Sequence, residues 1–424
     1  MKFKSFVYAD LIKVFSLTTL ASIIKMVAGL LGSKILALLL GPAGIAYVNQ
    51  INNFVSITKS FSTGGINTGI TKFVAQNREH PNKKEIYISN GVKITLFLSI
   101  IATIVCFLFA KTFSLSLFNS EEYIFVFYYC GASLMFSSFN KFFISVINGL
   151  KEYKKFVLVN ISNSIVGLLF TILLVLLWGI KGALISVVTY QSIVFFITIY
   201  QIKEFNLLKA NYFIGKINMS AIMDLLNYSI MAGVSAIIIP ISQILVRNHI
   251  TLIFSITEAG IWSGMNSISN AYLTIITYAL STFLIPKYSE LENSLKIKKE
   301  IFRILKFVIP LFFLLLVFLY FSRKYIIIIL FSQKFSEMSS LFLPQLIGDF
   351  FKIISWVIAL QLLVNINIKF YMFSEVLFGL NYILLVFILI DKIGFIGATI
   401  AYTINYFMYF IVILFFYRKQ LFLK

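Results

Sequence analysis

Charged side chains are scarce in this sequence. Only 12% of its 424 residues are Asp, Glu, Lys or Arg, against about a quarter in soluble domains, and 60% are hydrophobic. Uncharged stretches of about 20 residues recur, and a helix of that length crosses about 30 Å of hydrocarbon. Because a segment in lipid must satisfy its backbone internally, each stretch is predicted to be a helix. The composition therefore excludes a soluble globular protein.

The residues that build metal centres and disulfide frameworks are also few. Cys106 and Cys130 lie inside apolar runs, and His80 and His249 are far apart in sequence. Neither pair has the spacing of a metal site or a disulfide framework. No phosphate-binding glycine loop occurs, and the polar connections are too short to form a catalytic domain. The sequence therefore predicts no cofactor, no metal and no enzymatic activity.

The apolar runs predict an all-α polytopic membrane protein with about twelve transmembrane helices. The predicted helices cover 12–40, 43–70, 86–110, 122–147, 156–178, 181–203, 219–248, 256–284, 299–321, 338–364, 369–390 and 394–417. Alternate connections, together with the two ends of the chain, hold 23 Lys and Arg residues, and the remaining connections hold seven. The positive-inside rule then predicts that both termini are cytoplasmic.

Short motifs recur in the second half of the sequence at an offset near 215 residues. Residues 43–45 (AGI) return at 259–261, and residues 182–185 (GALI) return as GATI at 397–400. The predicted unit has six helices, so both copies keep the same orientation as parallel repeats. We expect an N-terminal lobe at 1–204, a cytoplasmic linker at 205–218 and a C-terminal lobe at 219–424. The repeats predict a central cavity used for alternating-access transport.

Several polar residues occupy mid-span positions in the first lobe. Lys25 has small residues around it on its predicted helix, and Lys59 shares a stripe with Asn49 and Asn52. An ionisable side chain deep in a span costs about 2.5–3.5 kcal/mol on insertion scales, so it usually faces a cavity or a partner. We interpret the stripe as lining water, with hydrogen bonding between packed helices as the structural alternative.

The second lobe has a matching polar stripe and a cluster of its own. Substrate-binding candidates here are Asn266, Asn270, Gln345 and Lys352. Asp349 can pair with Lys352 at i+3, and a purely structural ion pair is the alternative. Positive charges outnumber negative ones at mid-span, with Lys25, Lys59 and Lys352 against Asp349. The cavity is therefore predicted to attract anions. Aromatic residues nearby could stack on sugar rings.

Five segments carry a resemblance to a known family: GPAGI (41–45), GGINTGITKFVAQ (64–76), EAGIWSGMNSISNAY (258–272), LFSQKF (330–335) and QLIGD (345–349). They resemble Wzx-type flippases, which include O-antigen translocases and the enterobacterial common antigen flippase. These belong to the multidrug/oligosaccharidyl-lipid/polysaccharide (MOP) exporter superfamily. The resemblance runs essentially end to end and includes the duplicated six-helix plan.

The resemblance implies a bacterial inner-membrane protein. It would move an undecaprenyl-diphosphate-linked oligosaccharide from the cytoplasmic to the periplasmic leaflet. Lys25 and Lys59 would pair with the diphosphate, and the asparagine stripes would meet the sugar. By analogy with the superfamily, Asp349 or Glu375 could bind a coupling proton or sodium ion. The same resemblance implies contact with membrane lipids and, as partners, a polysaccharide polymerase and a chain-length regulator. Nucleic acid is not expected as a partner, because the lysines lie in short loops between apolar runs.

Two other functions compete with the flippase. A multidrug exporter of the same superfamily predicts acidic and aromatic residues in the cavity, and the cationic excess argues against it. A non-transporting partner of polysaccharide assembly gains nothing from polar stripes at mid-span.

Overall fold

Helices are the regular secondary structure throughout the residues that the structure describes. A computed structural model describes residues 2–205, 212, 217–289, 294–364 and 368–418. Within them the helices are α1 (Lys2–Ser62), α2 (Asn67–Gln76), α3 (Pro81–Leu108), α4 (Ala110–Phe118), α5 (Ile124–Gly149), α6 (Tyr153–Ile202), α7 (Met219–Ile253), α8 (Ile256–Ser289), α9 (Ser294–Leu330), α10 (Met338–Val364), α11 (Ile368–Ile393) and α12 (Gly397–Phe416).

Two of these helices are interrupted by a glycine. In α1, Gly41 has φ 66° and ψ −166° and precedes Pro42, and in α6 Gly179 has φ 56° and ψ −132°. Both breaks fall where the sequence predicts one helix to end and the next to begin. Only glycine adopts such backbone angles without strain.

The number of spans agrees with the prediction. Among the described residues, nine helical segments are long and apolar enough to cross a membrane. Two of them, in α1 and α6, contain the glycine breaks and therefore hold two predicted spans each. Counting α8 as well, where the sequence also predicts a span, gives the expected twelve. The prediction of an all-α polytopic membrane fold is confirmed.

The chain divides into two compact units, each built around one helix. Unit 1 comprises Met1–Leu39 and Tyr47–Ile241, and unit 2 comprises Leu40–Ala46 and Ser242–Lys424. In unit 1, α5 packs against α2, α3, α4 and α6; in unit 2, α10 packs against α8, α9, α11 and α12. The predicted linker at 205–218 lies largely outside the described residues, so the division into 1–204 and 219–424 stays a prediction.

Small polar residues let α5 lie close to α6. Ser133 donates a hydrogen bond from Oγ to the carbonyl of Val188 over 2.7 Å, and Ser192 returns one to the carbonyl of Ser133, also over 2.7 Å. Helices in membranes associate through such small residues, because lipid offers no hydrophobic driving force between them. Further along α5, Phe142 and Phe143 pack on the apolar face of α2. The second half of α6, from Lys181 onwards, is thereby held against the centre of unit 1.

The break in α6 gives a test of the fold. We expect Gly179→Ala to destabilise the protein by about 1–3 kcal/mol, because alanine is strained at a positive φ of this kind. No atom lies within 4 Å of an added Cβ at Gly179, so a steric clash would not contribute. Gly29→Ala is the matched control, since it also has open space around its Cβ but lies within a helix, where alanine is favoured over glycine. Thermal unfolding in detergent measures both; equal melting temperatures would contradict the strained break.

Candidate functional site

Lys59 is buried inside unit 1, where a neutral side chain binds its ammonium group. Its side chain is 6% exposed, and Nζ donates a hydrogen bond to Oε1 of Gln191 over 2.7 Å. Gln191 in turn donates from Nε2 to the hydroxyl of Tyr190 over 2.8 Å, and Nζ lies 6.0 Å from the centre of the Tyr190 ring. We call Lys59, Tyr190 and Gln191 the Lys59 cluster.

The charge of Lys59 is not neutralised by an ion pair. In the described part of the chain, no carboxylate oxygen lies within 4.0 Å of its Nζ. An ammonium group has three donors, and Gln191 uses one of them. When Lys59 is protonated, its remaining donors and a charge that no described carboxylate offsets give this position the capacity to bind an anion.

The other predicted residues of α1 lie apart from the Lys59 cluster. Lys25 and Asn52 are exposed and Asn49 is half-buried. Neither Lys25 nor Asn52 makes a described hydrogen bond to the cluster. Counted along the helix at 1.5 Å per residue, Lys25 precedes the break at Gly41 by about 24 Å and Lys59 follows it by about 27 Å. The two lysines are therefore at similar helical distances from the break.

Asp349 is a fully buried carboxylate in unit 2, and hydroxyl groups surround it. Its side chain has no exposed surface. Ser269 donates to both carboxylate oxygens over 2.8 and 2.7 Å, Tyr402 donates to Oδ1 over 2.7 Å, and the Tyr272 hydroxyl donates to Oδ2. Gln345 donates from Nε2 to the Ser269 hydroxyl over 3.3 Å. These residues form the Asp349 cluster, which unites α8, α10 and α12.

A glycine next to Asp349 lets Tyr402 approach. A Cβ at Gly348 would lie 2.4 Å from the ring of Tyr402, and real Cβ atoms essentially never come so close to another heavy atom. Because Gly348 has no side chain, the ring of Tyr402 packs directly on the α10 backbone. This contact places the Tyr402 hydroxyl within reach of the carboxylate at the next position.

The predicted ion pair between Asp349 and Lys352 is replaced in the structure by a bridge. Lys352 Nζ donates to the Tyr402 hydroxyl over 3.3 Å, and that hydroxyl donates to Asp349. Among the described residues no ion pair of 4.0 Å or less joins the two charges. Nζ also lies 4.9 Å from the centre of the Tyr406 ring. Asp349 and Lys352 both contact the Tyr402 hydroxyl, which lies between their side chains.

The remaining predicted site residues of unit 2 differ in exposure. Asn266 is 8% exposed and donates to the carbonyl of Trp262 within its own helix, whereas Asn270 is exposed. Glu375 on α11 is half-buried and lies within electrostatic range of Lys352. The structure thus brings Gln345, Asp349 and Lys352 together and leaves Asn270 on the surface.

Sequence reasoning missed two partners. Gln191 lies in the polar group of residues 189–192 inside a predicted span, and that unusual position is the signal that could have found it. Ser269 lies one residue beside the polar stripe of α8, so the helical spacing passed over it. Both residues are hydrogen-bond partners of a predicted charged residue.

The Lys59 cluster can be tested by a double-mutant cycle. We expect Gln191→Leu to destabilise the protein by about 1–3 kcal/mol, since it leaves the buried ammonium without its acceptor. In the double variant Lys59→Met/Gln191→Leu, neither member of the Lys59–Gln191 hydrogen bond is left without its partner, so the loss should be smaller than the sum of the two single effects. Thermal unfolding of the four proteins measures the coupling. Additive effects would show that the 2.7 Å contact does not stabilise the fold.

Comparison with known proteins provides the family context. Residues 11–292 match the family described as polysaccharide biosynthesis protein. The chain is 28% identical over 395 residues to the lipid III flippase of Escherichia coli (strain K12), covering 93% of this chain and 94% of that protein. The lipid III flippase of Shigella flexneri matches with the same identity and coverage.

Solved structures share the fold at low sequence identity. An inward-facing multidrug resistance transporter, of the MATE family within the MOP superfamily, superposes with a TM-score of 0.77 at 13% identity, covering 94% of this chain and 98% of that one. The lipid II flippase MurJ, in an inward closed conformation, has a TM-score of 0.70 at 17% identity, covering 96% and 87%. These likenesses establish the fold and no more than the fold.

Proposed function

Because the chain belongs to the polysaccharide biosynthesis protein family, we propose that it is a flippase that moves a lipid-linked oligosaccharide across a membrane. The observation that carries the proposal is the buried ammonium group of Lys59, which has a neutral partner and donors left for an anion. The similarity to the lipid III flippase over nearly the whole of both chains supports the same activity. The relatives are transporters rather than enzymes.

The substrate we propose carries a diphosphate between a polyprenyl tail and a glycan. A bare diphosphate cannot cross hydrocarbon, because burying an unpaired charge costs tens of kcal/mol in the Born limit. A protein path with fixed cations removes most of that cost while the tail stays in lipid. We propose an undecaprenyl diphosphate carrying an O-antigen or related repeat unit, moved from the cytoplasmic to the periplasmic leaflet of a bacterial inner membrane, with both termini cytoplasmic.

Roles for the polar residues follow from their exposure. Lys59 binds the diphosphate in this proposal, assisted by Lys25 at a similar helical distance from the Gly41 break. The exposed amides of Asn52 and Asn270 are available to hydrogen-bond the sugar. In unit 2, Lys352 is the ammonium group that we propose for anion binding.

We further propose that cation binding drives the transport cycle. Asp349 is the first candidate, because a buried carboxylate that hydroxyl groups surround can take up a proton or a sodium ion, and Glu375 is the second. The polymerase and the chain-length regulator of the same glycan are proposed as partners in the membrane.

Export of cationic drugs is less compatible with these clusters. An organic cation needs an accessible carboxylate, and Asp349 is fully buried with both of its oxygens already accepting hydrogen bonds. The mid-span lysines would repel such a cargo.

Complementation tests the proposed function. A strain that lacks its own flippase but has the matching glycan pathway receives the wild type, Lys59→Ala or Lys25→Ala. The wild type should restore surface glycan. The strain with Lys59→Ala should accumulate lipid-linked repeat units. Its transport rate should fall about 10- to 150-fold, because the loss of one charge-assisted hydrogen bond costs about 1.5–3 kcal/mol.

The matched control is Lys111→Ala, which removes an exposed lysine paired with Glu121 and should behave like the wild type. Immunoblots check that every variant reaches the membrane. Restoration by all variants would keep the flippase but remove Lys59 from the transport path. Failure of a well-expressed wild type with a matching glycan would overturn the proposed function itself.

A further inference from the structure

One hydroxyl group in unit 2 contacts both members of a pair of opposite charges. Tyr402 donates its proton to Asp349 Oδ1 over 2.7 Å, and its oxygen accepts a hydrogen bond from Lys352 Nζ over 3.3 Å. Its side chain is 7% exposed, and the close packing of its ring on Gly348 restricts its movement. The hydroxyl therefore has one donor and one acceptor role, and each is directed at a different charge.

Each charge also has partners of its own, but none of these joins the two. Asp349 accepts from Ser269 and Tyr272 on α8, and Lys352 faces the ring of Tyr406 on α12. Removing the Tyr402 hydroxyl would leave both charges partly satisfied. The bridge thus connects two charged groups that each have other partners.

Hydrogen bonds in series strengthen one another. A phenol that donates to a carboxylate gains electron density on its oxygen, so that the oxygen becomes a better acceptor for an ammonium group. If Asp349 loses its charge by binding a proton, the oxygen of Tyr402 attracts Lys352 less, and the carboxylate no longer offsets the ammonium charge. Lys352 then has more of its charge available to an external anion.

We infer that Tyr402 is a positioning residue that links the charge on Asp349 to the strength with which Lys352 binds a diphosphate. This inference rests on the proposed flippase function and extends it to the order of binding. Loss of the carboxylate charge strengthens anion binding, so the proton and the lipid-linked diphosphate occupy the protein together. In a transporter that exchanges protons for cationic drugs, protonation must instead weaken substrate binding, because there the two ligands compete.

Several charged or titratable groups face this bridge, and each needs its own variant. Asp349 is faced by Tyr272 from α8, by Tyr402 from α12 and, across the bridge, by Lys352 of its own helix. Lys352 is also within electrostatic range of Glu375 on α11. Because Glu375 is a carboxyl group within electrostatic range of Lys352, Glu375→Gln separates its contribution from that of Asp349.

The experiment measures diphosphate binding against pH. The full-length protein in nanodiscs of neutral phosphatidylcholine binds a farnesyl diphosphate monosaccharide, a diphosphodiester whose charge is constant near neutral pH. We expect wild-type affinity to rise about 5- to 150-fold, the range typical of coupled sites, as pH falls from about 8 to about 5. Asp349→Asn should bind tightly and Lys352→Gln weakly, and both should have a smaller pH dependence than the wild type.

Tyr402→Phe decides the role of the bridge. This variant should still bind the probe. The change in the logarithm of its affinity with pH should be at most about half of the wild-type change, because the two charges then interact only through space. Tyr382→Phe is the matched control: it removes another buried hydroxyl next to Tyr402, at 6.1 Å between ring centroids, and should keep the wild-type pH dependence. If Tyr402→Phe does not fold, a double-mutant cycle of Asp349→Asn and Lys352→Gln measures the linkage instead, and additive effects on affinity would overturn it.

The outcomes separate this inference from the function on which it rests. A wild type that binds no probe at any pH contradicts the proposed function. Binding with an unchanged pH dependence in Tyr402→Phe leaves the flippase standing and removes Tyr402 from the linkage. Loss of the pH dependence in Glu375→Gln, with Asp349→Asn unchanged, overturns the assignment to Asp349.

Discussion

A charge inside a membrane span must be stabilised by polar groups of the protein, because hydrocarbon has no groups that can solvate it. An isolated ionised group costs tens of kcal/mol in the Born limit, and no helix packing energy of ordinary size offsets that. In this chain the compensation is largely neutral: an amide oxygen accepts from Lys59, and three hydroxyl groups donate to Asp349. These neutral partners form hydrogen bonds with Lys59 and Asp349 without cancelling their net charges. A direct ion pair would have satisfied the same groups and cancelled the net charge.

Close helix packing is what allows these neutral partners to reach the charges. Gly348 lets the ring of Tyr402 lie on α10, and small residues such as Ser133 bring α6 close to α5, so that Gln191 on α6 meets Lys59. Each unit therefore depends on a packing residue without charge to position a charged one. The glycine breaks at Gly41 and Gly179 have a comparable role earlier in the chain, because they let consecutive spans follow one another without a polar loop.

Much of this fold could be predicted from the sequence, since hydrophobic length and glycine position are local properties. The twelve spans and both breaks followed from them. The burial of Lys59 and Asp349 could be anticipated from their mid-span positions, but their partners could not. Gln191 lies 132 residues from Lys59, and Ser269 lies 80 residues from Asp349. Helical periodicity identifies the face on which a residue lies and gives no information about which distant helix meets that face. For the same reason Asp349 and Lys352, three residues apart, suggested a direct pair that Tyr402 replaces.

The central claim is that a buried, uncancelled ammonium group lets this protein move a diphosphate-linked glycan between leaflets. The direct measurement uses purified protein in liposomes that carry the lipid-linked oligosaccharide in both leaflets. An external glycosidase removes the glycan it can reach. Wild-type protein should make nearly all of the substrate accessible, whereas Lys59→Met, which keeps the length of the side chain but not its charge, should leave about half protected, as in protein-free liposomes. Full access with Lys59→Met would contradict the account.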